Sequence, residues 1–218
     1  MTTPAMTPSD ATSPTNPFLR EWTTPFTIPP FETIAPEHFK PAFDRALGEQ
    51  LDEIAAIAGS DEDATFANTI EALERSGALL KRVGGVFFNL SGAHTSEAIQ
   101  AVEREMAPLL AKHRSAIYMN GALFRRVEAL HGRKDAGGLT PEQARVLDRY
   151  HTIFVRAGAR LEAGDKTRLA AITERLATLG TQFSQNVLAD ESSYQLVLDG
   201  EADLAGLPSF LVEAAAAA

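Results

Sequence analysis

Histidine spacing is the first place to look for chemistry in this chain. A helical zinc hydrolase holds its metal through two His four positions apart, with a Glu beside the first. The two rings reach the ion from one helix face, and the Glu acts as base toward metal-bound water. His38, His94, His113, His131 and His151 include no pair with that spacing. The nearest approach is His94-Thr95-Ser96-Glu97-Ala98, where a His in place of Ala98 would complete an inverted zinc motif. His94 stands just before a helix start and reads as a loop or cap residue. His113 and His151 fall inside helical patterns, where hydrogen-bonded, buried rings are expected rather than ligands.

The other reactive patterns are equally bare. Glu71 with Glu74, and Glu103 with Glu105, read as solvated helix faces rather than acid/base pairs. Gly84-Gly85 sits in an apolar helical pattern, which is the wrong context for a phosphate loop. There is no serine nucleophile elbow, no dinucleotide fingerprint and no cysteine. No residue is therefore assigned as catalytic, cofactor-binding or metal-ligating.

The elements that would position any site are helical. The chain has 218 residues, enough for one helical domain or two small ones with a real core. Its net charge of -9 argues against nucleic acid as the main partner. The pairs Arg125-Arg126 and Arg133-Lys134 read as solvated helix and loop charges. No signal peptide or membrane-spanning run is visible.

Residues 1–15, rich in Thr, Pro, Ser and Ala, are expected to form a disordered tail. Residues 16–35 interleave Phe18, Trp22, Phe26 and Phe31 with Pro17, Pro25, Pro29 and Pro30, which suggests an extended arm packed over the body. From Pro36 the pattern is helical. Phe39, Phe43, Leu47, Leu51 and Ile54 form one stripe. Gly59-Ser60-Asp61 should end that helix, and Thr65 should cap the next, which carries Phe66, Ile70, Leu73, Leu80 and Phe87 as one helix interrupted at Gly84-Gly85.

Further helices are expected from Thr95 or Ser96, around Leu123 to Leu130, and from the capping box Thr140-Pro141-Glu142-Gln143 to about Leu161. Gly137-Gly138 should form the loop before that box. Another helix should start at Gly164-Asp165. Tyr194 to Leu198 is a short strand candidate with an Asp199-Gly200 turn but no partner strand. The closing alanines, Ala214 to Ala218, read as a helix cut short. The fold class expected is mainly α: a bundle-like helical domain over 36–218, a proline-rich arm, and at most a short strand near 194–198.

The stretch Asp63-Ala64-Thr65-Phe66-Ala67-Asn68-Thr69-Ile70-Glu71-Ala72-Leu73-Glu74-Arg75-Ser76-Gly77 closely resembles a segment near the start of the thimet-oligopeptidase-like zinc peptidases, above all the bacterial peptidyl-dipeptidases (dipeptidyl carboxypeptidases). Asn16-Pro17-Phe18-Leu19, Pro29-Pro30-Phe31 and Ile34 to Phe43 look like that family's arm and first helix. Val86 to Leu90, Ala116 to Asn120 and Leu179 to Leu198 are similar to further segments in the same order. The Val86-Phe87-Phe88 region favours peptidyl-dipeptidase over oligopeptidase A.

The resemblance implies a cytoplasmic, mostly helical zinc peptidase that removes dipeptides from the C-termini of short peptides inside a channel between two lobes. Only the N-terminal part of such an enzyme is matched, so no catalytic residue carries over. On that reading the chain forms one channel wall, zinc belongs to the parent enzyme, and the missing catalytic lobe is a partner. Exposed apolar faces would then favour a homodimer. The competing reading is a self-standing helical interaction module without catalysis.

Overall fold

A computed structural model describes residues 16–135, 138–198 and 200–217. The expected tail over residues 1–15, Gly137 of the glycine loop, Asp199 of the expected turn and the last alanine lie outside them. The fold is mainly α, and it divides into two compact units, Met1–Gln182 and Phe183–Ala218.

The larger unit begins with the arm. Short 3-10 turns at Pro17–Leu19, Pro25–Thr27 and Phe31–Thr33 alternate with extended residues, as fixed proline φ angles require. Asn16 anchors the start by donating to the His38 carbonyl, and it accepts from the Phe18 amide. The Phe18 ring is buried 5.1 Å from the ring of Phe39. Phe26 and Phe31 are instead exposed, while Trp22 and Ile34 pack partly buried against the same cluster as Phe18.

Helix α1 (Phe39–Ala58) is followed by a wide π turn (Phe66–Glu71), α2 (Ala72–Arg75), α3 (Ala78–Ala93), α4 (Glu97–Tyr118), α5 (Gly121–Gly132) and α6 (Pro141–Arg156). Capping Ser96, Asn120 and Thr140 start α4, α5 and α6, and Thr140 with Gln143 forms the expected reciprocal box. Helix α7 runs from Ala163 to Ser193.

Three expectations change. The helix expected from Thr65 through Phe87 is broken at Ser76-Gly77, where Gly77 adopts φ of 68°. A Cβ there would collide with the Gln50 side-chain amide, so glycine is required twice over. Gly84 and Gly85, by contrast, lie inside α3 with room for a side chain. Helix α6 stops at Arg156 rather than near Leu161. Gly158, at φ of 96°, completes a Schellman turn: the Ala159 amide bonds to the Phe154 carbonyl at 3.0 Å and the Gly158 amide to Val155 at 3.1 Å. Tyr194 to Leu198 is not a strand, and no strand occurs among the described residues. A strand without a partner leaves its backbone groups unpaired, and here side-chain alternation alone did not suffice.

The smaller unit contains the end of α7, α8 (Glu201–Leu204) and α9 (Ser209–Ala216). None of its described side chains is buried, and Tyr194, Leu196, Val197 and Phe210 are largely exposed.

The core of the larger unit has two clusters. Phe18, Phe39, Phe43, Val83, Phe87 and Met106 form one. Ile54, Ile70, Leu123, Val127, Leu147 and Phe154 form the other. Helices α1 and α4 contribute to both, and a polar seam lies where they pass from one cluster to the next. There His113 Nε2 lies 2.8 Å from Gln50 Oε1, Gln50 Nε2 donates to Ser76 Oγ at 3.3 Å, and the Gly77 amide donates to Glu53 Oε2 at 2.7 Å. Because the Gln50 amide nitrogen already donates to Ser76, its oxygen is the acceptor and His113 Nε2 carries the proton. His113 Nδ1 is buried without a partner among the described residues.

Burial pushes the His113 pKa below the ordinary histidine value. The neutral ring therefore belongs to the fold. As pH falls below about 6.5, the unfolded chain takes up a proton that the folded chain resists, so stability is lost on acidification. Thermal melts between pH 7.5 and 5.5 should show a falling Tm. His113→Gln retains a donor toward Gln50 without the titration and should flatten that slope. A slope equal to that of the parent would show that other groups set the acid sensitivity.

Candidate functional site

The π turn and the loop before it form the most elaborately bonded region of the larger unit. Thr65 Oγ1 accepts from the Asn68 amide at 3.1 Å, and Asn68 Oδ1 accepts from the Thr65 amide at 2.8 Å. That reciprocal cap starts the turn. The same Asn68 oxygen accepts from Thr69 Oγ1 at 2.9 Å and from Arg126 Nη2 at 3.0 Å, while Asn68 Nδ2 donates to the Asp63 carbonyl at 3.0 Å. Arg126 Nη1 reaches the carbonyls of Ser60 and Glu62 at 2.9 and 2.8 Å. Arg133 Nη2 adds a bond to the Ala64 carbonyl at 2.6 Å. Two cations from α5 and its C-terminal extension thus tie down a loop of backbone oxygens that has no secondary structure to satisfy it.

The reading of Arg125-Arg126 and Arg133-Lys134 as solvated charges fails at Arg126, and Arg133, though exposed, is bonded to the loop. Arg125 is exposed, but Arg126 is only 9% exposed, and Lys134 pairs with Asp148 at 2.8 Å. No sequence period distinguishes Arg126 from its neighbour except its place beside Leu123, Val127 and Leu130 on the buried face of α5. That placement was the available signal.

A cavity of about 580 Å³ opens beside this loop. Asp63, Thr65, Phe66, Glu71, Arg133 and Gln143 are among the residues that line it. Its rim carries both signs of charge over an apolar floor. Such a surface can seat a polar chain, but the one hydroxyl on it, that of Thr65, is committed to the cap. The arrangement suits support or binding rather than bond-breaking.

The histidines do not converge. His38 Nδ1 accepts from the Ala35 amide at 3.0 Å, His94 ends α3, and His113 lies in the polar seam. His131 and His151 do meet, with ring centroids 3.9 Å apart and planes only 9° from parallel. Stacked rings point their nitrogen lone pairs side by side, not toward a shared ion. Zinc requires convergent ligands, and no group of three or more candidate ligands occurs among the described residues, so the residues present do not fit the metal.

The stack instead belongs to a charged clasp between α5 and α6. His131 Nε2 lies 3.0 Å from Asp148 Oδ1, and Arg160 bonds Glu128 at 2.9 Å. The Lys134 hydrogen bond, with His131 adding, holds the Asp148 carboxyl below its usual range. Burial, then His131 and Arg160, push His151 down. Of the carboxylate pairs, Glu71 bonds Arg75 at 2.9 Å and Glu103 accepts from Ser91 at 3.1 Å. Burial, with Glu74 adding, pushes the Tyr150 hydroxyl pKa up.

The fold and site define a helical scaffold with a pinned loop and a mixed-charge cavity. No protein-family model matches the chain. Dipeptidyl carboxypeptidase of Escherichia coli K12 is 43% identical over 192 residues, which is 88% of this chain and 28% of that protein. Dipeptidyl carboxypeptidase of Salmonella typhimurium is 40% identical over 205 residues, 94% of this chain and 30% of that protein. Oligopeptidase A of Escherichia coli K12 is 28% identical over 203 residues, 93% of this chain and 29% of that protein. The chain belongs to the thimet-oligopeptidase-like family, and its size fits the N-terminal part of such a protein. It spans less than a third of the length of these relatives.

The pinned loop makes a quantitative prediction. Asn68→Ala should cost about 1–2 kcal/mol through the lost cap. Arg126→Met should cost about 2–3 kcal/mol through unpaired carbonyls. Because the two side chains share a hydrogen bond, the double variant should fall short of their sum by roughly 0.5 kcal/mol or more in denaturant melts. Strict additivity would mean that cap and clamp act separately.

Proposed function

We propose that this protein is the N-terminal, non-catalytic region of a zinc peptidyl-dipeptidase that releases dipeptides from the C-termini of short peptides. The carrying observation is 43% identity across most of the chain to a dipeptidyl carboxypeptidase more than three times as long. In this reading zinc and the catalytic residues belong to the rest of the parent enzyme, the substrates are short peptides, and the site of action is the cytoplasm. The helical body contributes one wall of the substrate channel. The cavity beside Asp63 to Glu71 supports that role, since it offers a surface for a chain without a reacting group on it.

The purified protein should bind no stoichiometric zinc and release no dipeptide from an N-blocked tetrapeptide. Robust, chelator-sensitive release would overturn the reading. A chimera is the positive arm: residues 16–193 replacing the matching segment of the Escherichia coli dipeptidyl carboxypeptidase should retain dipeptide release. A folded, zinc-loaded but inactive chimera would remove the proposal's main support.

The proposal extends to association. Ile172, Leu176 and Leu179 are exposed at four- and three-residue spacings along α7, a stripe of the kind that pairs helices. Without the rest of the parent enzyme the isolated chain should self-associate, giving a dimer mass by light scattering at high concentration. A strictly monomeric mass would count against it.

A further inference from the structure

Helix α6 carries an exposed arginine face that the proposed function leaves unused. Arg145, Arg149 and Arg156 follow one another at spacings of four and seven, with Thr152 between them. All three are exposed, and none forms an ion pair with a described residue, although the chain holds an excess of nine negative charges. Asp148, the one carboxylate on this groove, is already held by Lys134 and His131. A groove of about 390 Å³ lies along the three arginines and continues, through shared Ile153 and Arg156, into a second of about 300 Å³ that Met119, Leu169 and Arg114 help line. Arg114 lies over the Tyr118 ring at 5.4 Å and adds a fourth positive charge.

We propose that this face of α6 docks an extended polypeptide segment rich in carboxylates. Guanidinium groups bind carboxylates through paired, charge-assisted hydrogen bonds, and Ile153 with the adjoining Met119 and Leu169 favours a chain with apolar side chains between its acids. The spacing fits such a chain. Four residues of helix rise about 6 Å and seven rise about 10.5 Å. An extended chain covers those distances in about two and three residues. Because side chains of an extended chain alternate faces, acids at positions i, i+2 and i+6 share the face turned toward the helix, and the long arginine stems of Arg145, Arg149 and Arg156 take up the remaining ~3 Å. A polyphosphate partner is disfavoured because it has no apolar side chains to place against Ile153, Met119 and Leu169. This inference does not depend on the peptidase reading, since it requires no reacting group.

The test is fluorescence anisotropy of the full chain with a labelled eight-residue peptide bearing Glu at i, i+2 and i+6 amid Ser and Leu. Three comparisons are a peptide with the same Glu contiguous, one with Gln in their place, and a single-stranded oligonucleotide of equal charge. The spaced peptide should bind most tightly and weaken between 50 and 200 mM salt. Arg145→Gln, Arg149→Gln and Arg156→Gln together should weaken it at least about ten-fold. Lys81→Gln, Arg168→Gln and Arg175→Gln, which change net charge equally elsewhere, should weaken it less than about three-fold. The proposal is overturned if the spaced peptide fails to bind at millimolar concentration, if the two triple variants lose equally, if the contiguous peptide matches it, or if the oligonucleotide binds more tightly.

Discussion

The seam between Gln50, Ser76, Gly77 and His113 constrains everything else in the larger unit. Helices α1 and α4 each pass through both hydrophobic clusters, and the clusters cannot slide against one another without breaking these bonds. Apolar packing alone sets no such register, because it has no preferred direction. The seam does, since His113 Nε2 and the Gln50 amide each have a partner in one register, and losing it would leave a buried polar group at a cost of about 1–3 kcal/mol. Gly77 has the key part. Its positive φ ends α2, its amide feeds Glu53, and its missing Cβ leaves space for the Gln50 amide. The break between α2 and α3 is therefore what lets a glutamine reach the centre of a helical body.

The region before that break works on a related principle. A loop of irregular backbone exposes carbonyls that no helix or sheet can satisfy, and Arg126 supplies donors from the buried face of α5. Burying a guanidinium is unfavourable unless its hydrogens are used. Here three of them meet oxygens, while the buried Nε has no partner among the described residues. The same asparagine that caps the π turn accepts one of these bonds. Local folding of the turn and its tertiary docking are thus joined at a single oxygen atom.

How far the sequence could be read follows from the range of each interaction. Thr65, Ser96, Asn120 and Thr140 act on amides three residues away, and such caps are written locally. Helix stripes are also local, so the mainly helical fold was accessible. The break at Gly77 was missed because a single glycine in a helical pattern says nothing of Gln50, 27 positions earlier. Arg126 was misread for the same reason: its partners lie some 60 residues upstream. Tyr194 to Leu198 fails in the opposite direction. Its alternation is locally strand-like, but a strand exists only with a neighbour, and neighbours are not local.

These facts bear on what the family-like stretch from Asp63 to Gly77 means. Its polar residues are almost all consumed by structure: Thr65 and Asn68 in the cap, Thr69 on Asn68, Glu71 on Arg75, Ser76 on Leu73 and Gln50. Little chemistry remains free at these positions. What distinguishes the stretch is a demanding backbone path, from loop to π turn to short helix to left-handed glycine, that few side chains can support. Such a segment marks relationship because it is hard to build in another way, not because it reacts. A sequence mark shared with enzymes can therefore be a mark of scaffold, and activity must be argued from reacting groups held in reach of one another. In this chain the bonds of Thr65 and Arg133, both on the cavity wall, serve to fix the shape of that wall.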